Sequence, residues 1–300
     1  MIWYCIAGWA CVSYAITNFI DKYLLSAADL SPKGITIFCG LAMLPVLVFV
    51  VIFGDLNLTA VSLSAGLLCF LSGVCAFINI YPYAVALLEE DASTVVPLYG
   101  FTSIIGIGFA VLALGESFTA SQALGAVLIA LGAFLLGIDR NLKGVWKPRP
   151  ALWRMLFASF VYAFVGIFFR LSGLPESLYW SGTFWQLFGS FVAGVAVANF
   201  DLDEVKKIAS LATRPVGWIY FICAILTAAG MLFESRAILT IGVAKVRVVI
   251  SMQPVVVFIF GTVGTLLLPR YVKEPLTKAL LIRKGICVAL VVIGVNYVAW

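Results

Sequence analysis

"YAITNFIDKYLL" (residues 14–25) and "YAFVGIFFRLSG" (residues 162–173) open alike, and each places a base eight positions after its tyrosine, Lys22 and Arg170. On a helix, positions i, i+4 and i+8 share a face. Tyr14, Asn18 and Lys22 therefore make one stripe, and Tyr162, Gly166 and Arg170 make its counterpart. The echo continues between residues 84–136 and 236–295, where Ala92 falls on Ala244, Thr102 on Pro254, Glu116 on Glu274 and Gly125 on Gly285. The shared order of these matches divides the chain into two halves, 1–138 and 152–300. They are joined by the basic, proline-containing segment "DRNLKGVWKPRPA" (139–151), which reads as an exposed loop.

Composition identifies the solvent. The chain is 63% apolar and 11% charged, against about 25% charged residues in a soluble domain. Crossing a bilayer as a helix takes about 20 mostly apolar residues. Ten stretches lack Asp, Glu, Lys and Arg: 1–20, 34–54, 56–88, 92–115, 117–138, 155–169, 177–200, 215–233, 248–269 and 285–300. The period-two alternation of a β-barrel is absent. The fold expected is an all-α integral membrane protein with ten transmembrane helices in two inverted five-helix repeats. Five is odd, so the second repeat must cross in the opposite direction, an architecture that puts a substrate site near the bilayer midplane. The start of the chain has no basic n-region, and its apolar run reaches full helix length, so the first helix is expected to stay.

Several chemistries are argued against. The chain has no histidine, and its seven cysteines all fall in the apolar stretches without a C-x-x-C pair. A zinc site and a disulfide framework are therefore not expected. No phosphate-binding P-loop is present, no nucleophile constellation stands out, and no cofactor is expected.

"LGESFTASQALGAVLIALGAFLL" (114–136) resembles the segment that ends each half of EamA-like members of the drug/metabolite transporter superfamily. "SMQPVVVFIFGTVGTLLLP" (251–269) resembles the matching segment of the second half, and "NFIDKYLL" (18–25) the first helix of one branch. The resemblance implies ten helices in two repeats and a central cavity lined mainly by helices one, three, four, six, eight and nine. It also implies movement of small metabolites or drugs in the plasma (inner) membrane, with membrane lipids and a small solute as partners and no nucleic acid. Some relatives move lipid-linked sugars, so a flippase is the alternative. A membrane enzyme or receptor is a third, weaker class, and a homodimer is left open. The second half departs from the pattern with "LLLPRYVKE" (266–274), so Glu116 and Glu274 are read first as interfacial loop residues.

The candidate substrate-binding residues are polar or aromatic groups within the spans. Glu234 and Arg236, two apart, face different ways on a helix. Glu234 is expected to pair with Arg247 or Lys245 across the turn at Gly242. The cationic group Arg236, Lys245 and Arg247 would suit an anion. Tyr14, Tyr81, Tyr99 and Tyr162 fall on helices expected to line the cavity, with Asn18, Asn79 and Ser251 as hydrogen-bonding partners. Trp185 and Gln186 form a polar-aromatic patch on the seventh helix. Pro82 is expected to kink the third helix. Asp21 and Lys22 are read as an interfacial pair marking the end of the first helix, because Arg170 has no acidic neighbour. Counting Lys and Arg per loop puts both termini outside, whereas the family resemblance implies both inside.

Overall fold

The computed structural model describes residues 2–27, 30–90, 92–117, 119–140, 146–213, 215–267 and 278–299. Glu274, Arg270 and Lys273, and the segment "LLLPRYVKE" from residue 268 on, lie outside these described residues. The first half comprises α1 (Ile2–Ala27), α2 (Pro32–Leu41), α3 (Met43–Phe53), α4 (Leu63–Ile78), α5 (Ile80–Glu89), α6 (Ala92–Val95), α7 (Gly100–Leu114) and α8 (Ala120–Gly137). The second comprises α9 (Pro150–Leu171), α10 (Tyr179–Ala198), α11 (Leu202–Ala212), α12 (Pro215–Ile241), α13 (Val243–Ile250), α14 (Gln253–Leu267) and α15 (Lys278–Ala299). Within the connecting segment, β1 (Ile138–Arg140) and β2 (Trp146–Pro148) pair antiparallel, Asp139 opposite Lys147.

Among the described residues, seven helical segments are long and apolar enough to cross a membrane: Pro32–Phe53, Leu63–Glu89, Val96–Leu114, Pro150–Leu171, Glu176–Ala198, Gly217–Ile241 and Val243–Val263. Two shorter apolar segments, Ala120–Ile129 and Lys284–Tyr297, lie within α8 and α15. At 26 residues α1 has the length, but Trp3, Trp9, Tyr14, Thr17, Asn18 and Asp21 dilute its hydropathy. The chain is a multi-pass, helical membrane protein.

Local chemistry sets the boundaries. Ser31 caps α2 by accepting from the Gly34 amide, with Pro32 at the first helical position. Ser62 caps α4 through the Ala65 amide, and Pro150 opens α9. Several of the described segments are broken along their length, that of α2–α3 at Ala42. The α4–α5 break falls at Asn79. Pro82, three residues on, has no N–H for the Ile78 carbonyl and crowds it. Pro254 does the same to Ile250, and the α13–α14 break lies between them. The corresponding break in the first half is a 3-10 turn, Val96–Tyr99, with Pro97 at its start.

α4 and α10 cross backbone to backbone. A Cβ on Gly73 would sit 1.8 Å from the Gln186 carbonyl oxygen, and one on Gly189 would sit 2.1 Å from that of Phe70. Ser190 donates to the Gly73 carbonyl at 2.7 Å, which follows from its small-residue spacing.

Lys22 and Arg170, 148 positions apart, do equivalent jobs. Lys22 Nζ donates to the Leu87 carbonyl at 2.7 Å and to that of Glu90 at 3.0 Å. Arg170 donates to the Leu239 carbonyl at 2.9 Å. Leu87 and Leu239 are 152 positions apart, the offset that matches Ala92 to Ala244. Both lie in the last turn of a helix, where carbonyls lack intrahelical partners and a positive charge is favoured. Lys22 is therefore a helix cap, not the partner of Asp21.

Candidate functional site

α1 brings Tyr14, Thr17, Asn18 and Asp21 along one face to the wall of a cavity of about 120 Å³ at the centre of the bundle. The broken third segment adds Asn79 and Tyr83, the 3-10 turn adds Tyr99, and α9 adds Tyr162. Arg247 and Ser251 come from the α13 side of the α13–α14 break. The helices expected to line a cavity all contribute. The second segment joins them through Cys39, Gly40 and Met43, and α10 through Ser190. The breaks explain this concentration. Where a helix is interrupted, its polar groups turn to side chains, and such backbone is tolerated at membrane depth only beside protein or a cavity.

At the floor, four side chains from four helices meet. Glu234 on α12 is 2% exposed, and its Oε1 lies 2.8 Å from an Arg247 guanidinium nitrogen that is itself fully buried. The hydroxyls of Tyr14 and Tyr162 both donate to Glu234 Oε2, at 2.8 and 2.7 Å. The Arg247 guanidinium lies 5.0 Å from the centre of the Tyr162 ring and donates to the Tyr162 carbonyl at 3.3 Å. The carboxylate and guanidinium thus form one neutral unit with hydrogen-bonded flanks, the arrangement a buried charge needs. Arg247 pairs with Glu234 as the sequence suggests, while Lys245 is exposed.

Above the floor, aromatic and amide groups interlock. Tyr99 donates to Asn79 Oδ1 at 2.9 Å, and the Asn79 amide donates to the Ala76 carbonyl at 2.5 Å. The Tyr83 and Tyr99 rings lie 5.6 Å apart, and those of Tyr99 and Tyr162 lie 5.9 Å apart. Tyr83 donates to Asn18 Oδ1 at 2.8 Å and lies 3.2 Å from Asp21 Oδ2. Ser251 and Ser103, both on the cavity wall, share a 2.6 Å hydrogen bond.

Of the expected residues, Tyr14, Asn18, Asn79, Tyr99, Tyr162, Arg247 and Ser251 come together at the cavity, with Glu234 directly beneath. Four do not. Tyr81 is 46% exposed on the outer surface. It sits two residues from Asn79, on the other side of the helix, whereas Tyr83 is four away and shares the inner face. Gln186 is buried between helices, donating to Ser72 and accepting from Ser235, both at 2.8 Å. Trp185 packs beside Gly66 of α4. Arg236 lies 3.5 Å from Glu176 and stacks on Tyr179 and Trp3 at one end of the bundle. Gln186, Trp185 and Arg236 hold helices together. Asp21, read as a helix-end charge, instead lines the cavity.

Glu116 also does more than sit in a loop. Its two carboxylate oxygens accept from the backbone amides of Val243 and Ala244, both at 3.0 Å. It thereby caps α13 across the two halves of the chain. Gly242, at φ +86°, makes this approach possible, because a Cβ there would lie 3.0 Å from the same carboxylate.

Residues 1–138 match the EamA-like transporter family. Among solved structures, 27 chains resemble this one. One crystal structure of a protein aligns over 96% of this chain and 95% of its own, at TM-score 0.57 and 12% identity. At that identity the likeness speaks to the fold alone. No curated protein matches the sequence significantly.

Proposed function

Because residues 1–138 match the EamA-like transporter family, we propose that the chain is a secondary transporter moving a small solute through the central cavity by alternating access. The observation that carries this reading is the cavity itself, which holds a set of polar and aromatic side chains in a largely apolar lining and is walled by helices of both halves. Its volume is below the roughly 300–1,000 Å³ of drug-sized pockets, which favours a metabolite-sized solute. In this reading ten helices cross the plasma (inner) membrane as two inverted repeats, 1–138 and 152–300, joined by 139–151. The matched caps of Lys22 and Arg170 and the matched breaks before α7 and α14 support that symmetry. The Glu116 cap ties the halves at one end, as a closed gate would. The polar residues bind and orient the solute, and none is assigned a chemical step.

A second reading, a flippase for a lipid-linked sugar, has one observation in its favour. An apolar groove of about 600 Å³ runs along the outer side of α2, α3 and α12, past Phe38, Pro45, Phe49, Phe221 and Ile225. The two readings separate in comparative metabolomics of medium, cytosol and lipid extract, with and without the expressed chain. Redistribution of a soluble solute between cytosol and medium is expected. A change confined to lipid-linked sugars would favour the flippase, and no redistribution in either fraction would count against transport.

A further inference from the structure

We propose that the cavity takes a small organic cation, a substituted ammonium ion, with Asp21 as its counter-charge. This deepens the transporter reading and rests on it for what happens to the ion after binding.

The first observation is the charge balance. Among the described residues, two charged ones line the cavity, Asp21 and Arg247. Arg247 is neutralised by Glu234 at 2.8 Å and covered by the Tyr162 ring. Among the described residues no Lys or Arg pairs with Asp21. Its neighbour Lys22 is committed to the carbonyls of Leu87 and Glu90. The cavity and its floor therefore carry one uncompensated negative charge, the wrong sign for an anion.

The second observation is how little else Asp21 receives. Its described donors are neutral: the Tyr83 hydroxyl at 3.2 Å and the Cys223 thiol at 3.3 Å. A phenol has one proton, and that of Tyr83 has a shorter acceptor in Asn18 at 2.8 Å. The carboxylate is left with a weak thiol donor and a shared phenol, poor compensation for a charge removed from bulk water. The fold does not require an acid here. At the 148-residue offset of Lys22 and Arg170, the counterpart of Asp21 is Phe169, a fully buried apolar residue.

The third observation is the aromatic wall. Tyr14, Tyr83, Tyr99 and Tyr162 all line the cavity, and ring faces attract cations, most of all when desolvated. The Asn18 Nδ2 group, on a residue 5% exposed, has no hydrogen-bond partner, so a donor waits for an acceptor on the same ligand. A single carboxylate among rings suits an ammonium ion better than a hard metal ion, which takes six or more oxygens.

The test uses the full chain in lipid nanodiscs and two uncharged-versus-charged isosteres, choline and 3,3-dimethyl-1-butanol. Choline should bind saturably and about tenfold or more tighter than the alcohol. Asp21→Asn should remove that preference and Asp21→Glu should keep part of it. Equal affinity for the two isosteres, absence of saturable choline binding, or an unchanged preference in Asp21→Asn would overturn the cation assignment. The isostere comparison on the unaltered chain needs no variant to fold. Binding in nanodiscs does not depend on transport, so choline bound but never moved would refute the transporter reading and leave the cation site standing.

Discussion

Glu234 is the residue on which most of the floor depends. Three partners from three other helices converge on its carboxylate, and its charge is tolerated only while Arg247 is present. Removing one member of a buried pair leaves the other uncompensated, at a cost of about 3–5 kcal/mol. Arg247→Ala is therefore expected to lower the apparent melting temperature of the purified chain strongly. Combining it with Glu234→Leu should recover part of the loss. A double variant less stable than Arg247→Ala would contradict the paired description. Tyr14→Phe and Tyr162→Phe each remove one of two donors to the same oxygen. Each should cost about 1 kcal/mol, read from the same melts.

Sequence reasoning reached this pair because acids and bases two residues apart on a helix must find separate partners, and Glu234 and Arg236 do. It missed Asp21 because an adjacent acid and base look like an ion pair. Only the third dimension shows Lys22 turned towards the end of α5. Tyr83 was within reach of sequence reasoning, since it lies four residues from Asn79 on the inner face. Tyr81 has the residue type of a cavity group but the phase of the outer face. Gln186 and Trp185 look like a site in one dimension because the glycines that press α4 onto α10 are legible only as a crossing of two helices.

At the scale of elements, helix ends are held by charges from elsewhere in the chain. Lys22 and Arg170 cap equivalent carbonyls, so Lys22→Met and Arg170→Met should destabilise by similar amounts, about 1–3 kcal/mol each. A large effect for one and none for the other would contradict their equivalence. The Pro82 and Pro254 breaks both follow from the missing N–H. The role of the bases was not predictable, because a carbonyl acceptor leaves no mark on the sequence. The α4–α10 crossing makes a stricter claim. Gly73→Ala places a methyl group against the Gln186 carbonyl and should cost about 2 kcal/mol or more. Measured stability equal to the unaltered chain would mean that the helices do not touch there.

At the scale of the whole molecule, the internal echo in the sequence was the most informative feature, because it suggested where a cavity would form. What it left out is what breaks the symmetry. Glu234, Arg247 and Asp21 have Pro82, Val95 and Phe169 as counterparts, so the charged groups of the cavity and its floor sit on positions the echo does not match, while the matched Tyr14 and Tyr162 share one role at Glu234. Glu116 belongs to this scale as well, since its cap on α13 closes one end of the bundle across the two halves. The most direct test uses Cys39, a native thiol on the cavity wall, as the sole cysteine. A membrane-impermeant maleimide is applied from each face of oriented membranes. Alternating access predicts labelling from both faces. With Glu116→Ala, labelling should become faster from the face where Glu116 lies and slower from the opposite one. Labelling from one face alone, or rates that move together, would contradict the account.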